Sequence, residues 1–252
     1  MRTILLFLTL ALATFASADD LQVAAASDLT FALPQIVAGF AKQTGHTVRV
    51  TYGSSGNFFA QIQNGAPFDV FLSADGGYPR RLETLGLAET PTIYAIGRIV
   101  LWGPKLKRLN LAQRGPQALL DPSVRTIAIA NPRHAPYGRA AEAALKYFGL
   151  YQQVASKLVL GENISQTAQF VQSGSADVGI LALSLALAPT LRESGEYWLI
   201  PEDVHPRLEQ AAAIRKSSPH APAARQFLLY LRSEAAQAVL RRYGFELPEA
   251  RP

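Results

Sequence analysis

The chain has 252 residues, a formal net charge of +5 at pH 7 and no cysteine. This length suits one large or two small domains and can bury a sufficient core without disulfide bonds. The absence of cysteine excludes a thiolate nucleophile and thiolate metal ligands. The basic residues are scattered along the chain, so the charge slightly favours an anionic ligand and argues against a nucleic-acid partner.

The N-terminus has the pattern of a secretory signal peptide over residues 1–18. A positive Met1-Arg2-Thr3 precedes an apolar stretch at 4–13, and Ala16-Ser17-Ala18 is a small-residue cleavage site. The stretch is shorter than the run of about 20 apolar residues that crosses a bilayer. We therefore expect an exported, soluble protein that begins at Asp19 and does not insert into the membrane after cleavage.

From Asp19 onward, short apolar runs alternate with segments of helical periodicity. The first part predicts strands at 21–26, 47–52 and 70–72, and helices at 31–42, 57–64 and 79–85. Apolar residues at i, i+3 and i+4 indicate the helices, and short apolar or β-branched runs indicate the strands. Alternating strands and helices are typical of βαβ units with a parallel sheet.

The same alternation begins again in the second part of the chain. It predicts strands at 99–102, 125–130, 158–160 and 178–183, with helices at 138–148 and 165–173. A strand at 211–214 and an amphipathic helical region at 221–243 follow. The sequence therefore predicts the α/β class, with two similar α/β lobes.

Two strand-to-helix turns carry hydroxyl side chains. Ser27 and Asp28 follow the first predicted strand, and Ser54 and Ser55 follow the second. The N–H groups at a helix start lack intrahelical partners and carry partial positive charge, so such turns bind anions. Parallel strands bring both turns to the carboxyl edge of the sheet, where ligands bind. Two interpretations stay open here: each serine is only a helix N-cap, or the two turns form an anion site.

Asp28 has two open roles in the first turn. In one interpretation its side chain turns away as a helix cap, because a carboxylate beside an anion repels it, and only its N–H faces the ligand. In the other, the carboxylate accepts the proton of hydrogen phosphate, which a shell of donors alone leaves without an acceptor. A cation site is not supported, because no second carboxylate or histidine stands at ligand spacing.

Five segments resemble, in the same order, those of the periplasmic molybdate-binding proteins that serve ABC transporters. They lie at 24–27, 53–56, 65–75, 131–138 and 243–245, and the third of them, around Phe68-Asp69-Val70, is the most specific. The resemblance covers nearly the whole chain after the signal peptide. It implies the type II periplasmic binding-protein fold, with a hinge and a central ligand cleft between lobe 1 (19–97 plus 205–252) and lobe 2 (98–204).

The same resemblance implies a function and a set of ligand contacts. The expected cargo is molybdate or tungstate, delivered to an ABC transporter permease by a monomeric protein with no cofactor and no catalytic activity. Ser27 and Ser55 are expected to bind the anion through hydroxyl and backbone N–H. Tyr137 and Ile164, from the second lobe, are expected to bind it through backbone N–H alone.

The chain departs from the family pattern at two positions. Asp28 is an extra residue in the first turn, and we count it, with Ser54, among the candidate ligand-binding residues. Ala182 stands where some family members use a tyrosine hydroxyl, and the Tyr137 side chain is a candidate replacement. Both departures concern the choice of anion more than the binding of an anion.

Three other functions stay open at this level. The nearest is a binding protein for sulfate, phosphate or another small anion, which shares the fold. An exported hydrolase would use Ser55 as nucleophile, with His134 as the only plausible base. A sensor domain, whose closed form signals to a partner protein, is the third alternative.

Overall fold

The computed structural model describes residues 19–248, so the predicted signal peptide at 1–18 lies outside the described residues. The strands form two five-stranded sheets, each flanked by helices, and the predicted α/β fold with two lobes is confirmed. In chain order the strands are β1 (Asp20–Ala26), β2 (Thr47–Gly53), β3 (Val70–Ser73), β4 (Thr92–Gly97), β5 (Ile99–Pro104), β6 (Ile127–Ala130), β7 (Leu158–Gly161), β8 (Val178–Ala182), β9 (Gly195–Leu199) and β10 (Leu208–Ile214).

The α-helices lie mostly in the connections between these strands. They are α1 (Leu33–Thr44), α2 (Ser55–Gln63), α3 (Gly77–Thr84), α4 (Leu111–Arg114), α5 (Pro136–Tyr147), α6 (Tyr151–Val154), α7 (Ile164–Gln172), α8 (Leu183–Ala186), α9 (Pro189–Ser194), α10 (Ala221–Leu231) and α11 (Glu234–Arg242). Local chemistry sets several ends. Gly45 ends α1 with a left-handed φ of 77°, and Pro136 begins α5, where its missing N–H costs nothing.

The expected parallel pairing is found for β1, β2 and β3, but neither sheet is parallel throughout, because each is mixed. The first sheet has the order β2-β1-β3-β10-β4, and the second has the order β7-β6-β8-β5-β9. Strands β1, β2 and β3 are parallel to one another, whereas β10 runs antiparallel to both β3 and β4. In the second sheet β5 is likewise antiparallel to β8 and β9. The chain enters both antiparallel strands, β5 and β10, directly after it passes from one sheet to the other.

The C-terminal helical region is two helices rather than one. Helix α10 ends at Leu231, and Ser233 begins the next helix by accepting a hydrogen bond from Ala236 N–H at 3.3 Å. Serine at an N-cap satisfies one of the unpaired N–H groups of the first turn, so it favours a new start over a continuous helix. Both helices belong with the first sheet, against which Phe227 and Leu240 are buried.

Each sheet has its own apolar core. In the first lobe, Phe40 of α1 meets Phe227 of α10 edge-to-face, with ring centroids 5.2 Å apart. On the other face of that sheet, Phe58 packs against Phe71. Trp102 is buried in the core of the second lobe. Burying one such side chain stabilises the fold by about 2–3 kcal/mol, so each lobe has a substantial core of its own.

The chain passes between the sheets twice. The first passage is at Arg98, between β4 and β5, and the second lies between β9 and β10. The Arg98 guanidinium forms ion pairs with Glu202, at 2.9 Å, and with Glu246, so it joins both passages to the C-terminal segment. The predicted lobe boundaries at 97/98 and 204/205 stay a prediction. All strands of the second sheet lie between these two boundaries, and all strands of the first sheet lie outside them.

Candidate functional site

A small buried cavity lies between the two lobes, at the carboxyl ends of the strands. The space left inside it is small, about 10 Å³, which is room for about one water molecule. All six predicted ligand-binding residues line it, together with five small or apolar neighbours: Ser27, Asp28, Ser54, Ser55, Tyr137, Ile164, Ala26, Gly53, Ala74, Ala135 and Pro136. Residues from four separate loops are therefore brought together as the sequence predicts. A larger, mostly apolar pocket beside β4 and α10 shares no lining residue with this cavity.

The first lobe contributes the starts of two helices. Ser27 begins a short 3₁₀ helix at Ser27–Leu29, and Ser55 is the first residue of α2. Ser54 is the N-cap of α2, and its hydroxyl accepts a hydrogen bond from Asn57 N–H at 3.4 Å. The Ser55 hydroxyl accepts one from Ala74 N–H at 3.0 Å, which ties the second turn to the end of β3. The capping interpretation therefore holds for Ser54, while both serines also line the cavity.

The second lobe contributes the starts of two longer helices. Tyr137 is the second residue of α5, and Ile164 is the first residue of α7. Asn163 is the N-cap of α7 and accepts a hydrogen bond from Gln166 N–H at 3.0 Å. N–H groups in a first helical turn have no intrahelical partner, and the helix dipole makes this end positive. The cavity therefore lies at the positive ends of helices from both lobes.

The two lobes contact each other directly around the cavity. The Ser27 hydroxyl donates a hydrogen bond to Asn163 Oδ1 at 3.1 Å and accepts one from Ser165 N–H at 3.2 Å. Gly56 N–H donates to the backbone oxygen of His134 at 2.8 Å. A Cβ atom on Gly56 would lie 2.7 Å from that same oxygen, so only glycine permits this approach. The structure is therefore a closed arrangement of the lobes.

Polar pairs also join the lobes at the rim of the cleft. Asn57 Nδ2 donates to Glu162 Oε1 at 2.6 Å. On the other side, Arg139 forms an ion pair with Asp75 and donates to the Tyr78 hydroxyl at 3.2 Å. Arg139 and Glu162 belong to the second lobe and their partners to the first, so these pairs form only when the cleft is closed.

Asp28 is the centre of a buried hydrogen-bond network. Its Oδ2 accepts hydrogen bonds from the Tyr137 hydroxyl, at 3.0 Å, and from Gln210 Nε2. Gln210 is held in turn by the Tyr94 hydroxyl, which donates to its Oε1 at 2.7 Å. Burial raises the pKa of Asp28 to about 7, although hydrogen bonds from Gln210, from Tyr137 and from its own backbone N–H oppose this effect. Asp28 Oδ1 is buried and has no hydrogen-bond partner among residues 19–248.

This network corrects the expectation that the Asp28 side chain turns away as a helix cap. The side chain points instead to Tyr137 and Gln210, because the neutral donors there satisfy one carboxyl oxygen in a site closed to water. The network also occupies the Tyr137 hydroxyl, our candidate for the family tyrosine missing at Ala182. Near Ala182 another group reaches the first turn: the Ser184 hydroxyl donates to the backbone oxygen of Asp28 at 2.7 Å.

The hydrolase alternative paired Ser55 with His134, and that pairing is wrong. His134 Nδ1 lies 3.1 Å from the hydroxyl of Ser54, whereas the Ser55 hydroxyl bonds to Ala74 N–H. Ser54 is also the N-cap of α2, so its hydroxyl already accepts a backbone hydrogen bond. Within 19–248, no three His, Asp or Glu side chains are grouped as a cation site requires.

Several residues of the site were missed at the level of sequence. Asn163, Ser165, Gln210 and Tyr94 all belong to the closed cleft or to the Asp28 network. Gln210 had one available signal, since it is a polar residue directly before the apolar run at 211–214. Asn163 had another, since asparagine directly before a helical pattern is a typical N-cap. Nothing local marked the two others.

Comparison with known proteins agrees with this architecture. The family described as bacterial extracellular solute-binding protein matches residues 21–246. The molybdate-binding protein ModA of Azotobacter vinelandii is 39% identical over 238 residues, covering 94% of this chain and 93% of the relative. ModA of Rhodobacter capsulatus is 36% identical over 242 residues, covering 95% of this chain and 93% of the relative.

A solved structure shows the same likeness in three dimensions. The periplasmic molybdate-binding protein of Azotobacter vinelandii superimposes with a TM-score of 0.85 and 35% identity, covering 91% of this chain and all of that one. In the part of the chain that the structure describes, no helix has the length and apolarity needed to cross a membrane. The chain belongs to the bacterial extracellular solute-binding proteins, and among them to the family of the molybdate-binding proteins ModA.

Proposed function

We propose that the protein binds molybdate or tungstate in the periplasm and delivers it to the permease of an ABC transporter. One observation carries the proposal within this family: helix starts from both lobes, two of them with serine hydroxyls, converge on a single closed cavity. The relatives described as molybdate-binding proteins support the identity of the cargo.

The donors that surround the cavity suit a tetrahedral oxyanion. Ser27 and Ser55 would each offer a hydroxyl and an N–H, and Tyr137 and Ile164 would each offer an N–H. A hydroxyl has one proton, so the Ser27 O–H would turn from Asn163 Oδ1 to the anion. Hydrogen bonds to an ion are shorter and stronger than hydrogen bonds between neutral groups. Such bonds can therefore replace the hydration that a dianion loses when it enters the cavity. The described lining contains no Lys or Arg, so the anion is held by dipoles and can still be released.

Delivery requires the cleft to open and close. We propose that lobe 1 (19–97 plus 205–252) and lobe 2 (98–204) move about a hinge at Arg98 and Asp203. An anion that contacts both lobes binds the closed form better than the open form, so it shifts the population toward closure. The protein then acts as a monomer, and the permease recognises its closed form.

Calorimetric titration of the ligand-free protein tests this function. We expect saturable binding of molybdate and tungstate at one ion per chain. Sulfate and phosphate should bind far more weakly, because these smaller ions would not reach all the donors of the two lobes at once. Tighter binding of sulfate or phosphate than of molybdate would replace the proposed cargo with that anion. No binding of any of the four would contradict the function itself.

A further inference from the structure

Asp28 presents one satisfied and one unsatisfied oxygen. Two donors from different lobes, the hydroxyl of Tyr137 and Nε2 of Gln210, hold Oδ2. Oδ1 is fully buried and has no partner among residues 19–248, although Asp28 lines the cavity. An unsatisfied buried polar atom costs about 1–3 kcal/mol, so a ligand that forms a hydrogen bond with Oδ1 would remove this cost.

The two donors on Oδ2 determine which oxygen can carry a proton. An oxygen that accepts two hydrogen bonds is not the one that bears hydrogen, so a protonated Asp28 carries its O–H at Oδ1. An ionised Asp28 would instead place a carboxylate charge beside the two charges of a bound dianion. The described lining supplies no Lys or Arg to offset that repulsion. Burial also favours the protonated, neutral form of Asp28, because it raises the pKa of the carboxyl.

We propose that Asp28 binds the oxyanion as a neutral carboxylic acid that donates a hydrogen bond from Oδ1, so that one proton is taken up with each ion bound. This inference rests on the proposed function and adds a specificity-determining residue to it. The proton comes from solvent and remains on Asp28, so no bond of the anion is made or broken. Release of the anion at higher pH returns the proton to water.

The proposal also decides between anions that differ in protonation. Molybdate, tungstate and sulfate are fully ionised near neutral pH and accept the Asp28 hydrogen bond. Hydrogen phosphate carries a proton of its own, and a neutral Asp28 whose Oδ2 is already occupied offers it no acceptor. Asp28 therefore selects against hydrogen phosphate, which is the reverse of the acceptor role that the sequence left open.

Few other ionisable groups face Asp28 from the elements packed around its turn. Helices α7 and α8 carry none, and β2 carries Tyr52 and Arg49, of which Arg49 is exposed and paired with Asp20. The elements that supply the network add Tyr94 from β4, Tyr137 and the rim residue Arg139 from α5, and Glu209 from β10. At the rim, His134 lies 3.6 Å from Glu162.

Proton uptake by His134 would give the same sign of pH dependence, because a charged imidazole attracts an anion. The variant His134→Gln separates the two sources. It removes the imidazole and leaves Asp28 and both of its donors in place. If Asp28 is the source, His134→Gln keeps the pH dependence of the wild type. Loss of that dependence would assign the proton to His134 and overturn the proposal.

The experiment is calorimetric titration with sodium molybdate between pH 6 and 9, in two buffers of different ionisation enthalpy. For the wild type we expect the Kd to rise about tenfold per pH unit in the upper part of this range, with close to one proton taken up per ion. Asp28→Asn keeps a donor but cannot titrate, so its Kd should be independent of pH. Its amide N–H takes the place of the acid O–H.

Each outcome has a separate meaning. A wild-type Kd that is constant from pH 6 to 9, without proton uptake, overturns the role of Asp28 and leaves the proposed function intact. Asp28→Asn with a wild-type pH dependence has the same consequence. If that variant does not fold, the proton uptake of the wild type decides the matter. Absence of molybdate binding at every pH overturns the proposed function and this inference together.

Discussion

Ser27 Oγ and Asn163 Oδ1 lie 3.1 Å apart across the cleft, joined by a hydrogen bond that the serine donates. The same hydroxyl accepts from Ser165 N–H, so one side chain of the first lobe is bonded twice to the start of α7. If the Ser27 O–H turns to the anion, the bond to Asn163 is lost and the one accepted from Ser165 N–H remains, so Ser27 contributes both to the ligand shell and to closure. Substitutions around the cleft should therefore separate these two contributions.

Ser27→Ala should weaken molybdate binding about 10- to 100-fold, since a hydrogen bond to a charged group contributes about 1.5–3 kcal/mol. The thermal midpoint of the ligand-free protein should change little, because no core packing is lost. Calorimetry and thermal unfolding measure the two effects. Ser175→Ala, at an exposed serine of the second lobe, is the control and should bind as the wild type does. Equal affinities for the two variants would remove Ser27 from the site.

Gly56→Ala should block closure without harming either lobe. The new Cβ would lie 2.7 Å from the His134 backbone oxygen on the opposite lobe, and backbone cannot move aside as a side chain can. Within its own lobe it would lie 2.6 Å from the Tyr78 hydroxyl, which is the end of a side chain and can shift. Alanine itself favours the helix by about 1 kcal/mol over glycine, so α2 should remain intact. We expect at least a tenfold loss of affinity with an unchanged or higher thermal midpoint.

Gly77→Ala is the matched control for that variant. Gly77 also lies in the first turn of a helix of the first lobe, but its added Cβ would come no closer than 3.8 Å to the neighbouring atoms considered. Its affinity should equal that of the wild type. Wild-type affinity in Gly56→Ala as well would mean that the lobes do not approach each other at this point when the ligand is bound.

Arg139→Ala should speed the release of molybdate by up to about fivefold and change its association rate little. The Arg139–Asp75 ion pair joins the lobes at the rim and is partly exposed, and such pairs contribute up to about 1 kcal/mol. Stopped-flow measurement of dissociation tests this effect. A double-mutant cycle with Asp75→Asn should show that the two changes are not additive, and the effect should shrink at high salt.

The ligand-free protein should be more closed in acid than in alkali. Tyr137 and Ser184 of the second lobe cover Asp28 only in the closed form, where burial raises the pKa of Asp28 from 3.8 to about 7. Protonation therefore favours closure. This contribution is fully present below about pH 4, is lost as the pH rises to about 7, and is absent above it.

Small-angle X-ray scattering measures this change as the radius of gyration. The wild type should be larger at pH 8 than at pH 5, while Asp28→Asn should have the same radius at both. A wild-type radius that does not change with pH would mean that Asp28 keeps the same surroundings in the open and closed forms.

The sequence located the turns because their signals are local. Serine residues at helix starts, such as Ser27 and Ser55, follow apolar strands directly, and the resemblance added Tyr137 and Ile164 to the same cavity. Asn163 and Gln210 were missed because their partners lie in the other lobe or on a distant strand. Strand direction is equally non-local: nothing within the residues of β10 indicates that it lies antiparallel between β3 and β4.

The position of β10 in the first sheet determines the order in which the two sheets can form as the chain is synthesised. Every strand of the second sheet lies between Ile99 and Leu199, so a chain that emerges from its N-terminus can finish that sheet first. The first sheet must wait for Ile214, because β4 reaches the other strands only through β10. The half that emerges earliest is therefore the last to be assembled, and a chain halted before Leu208 would leave β3 and β4 as two open edges.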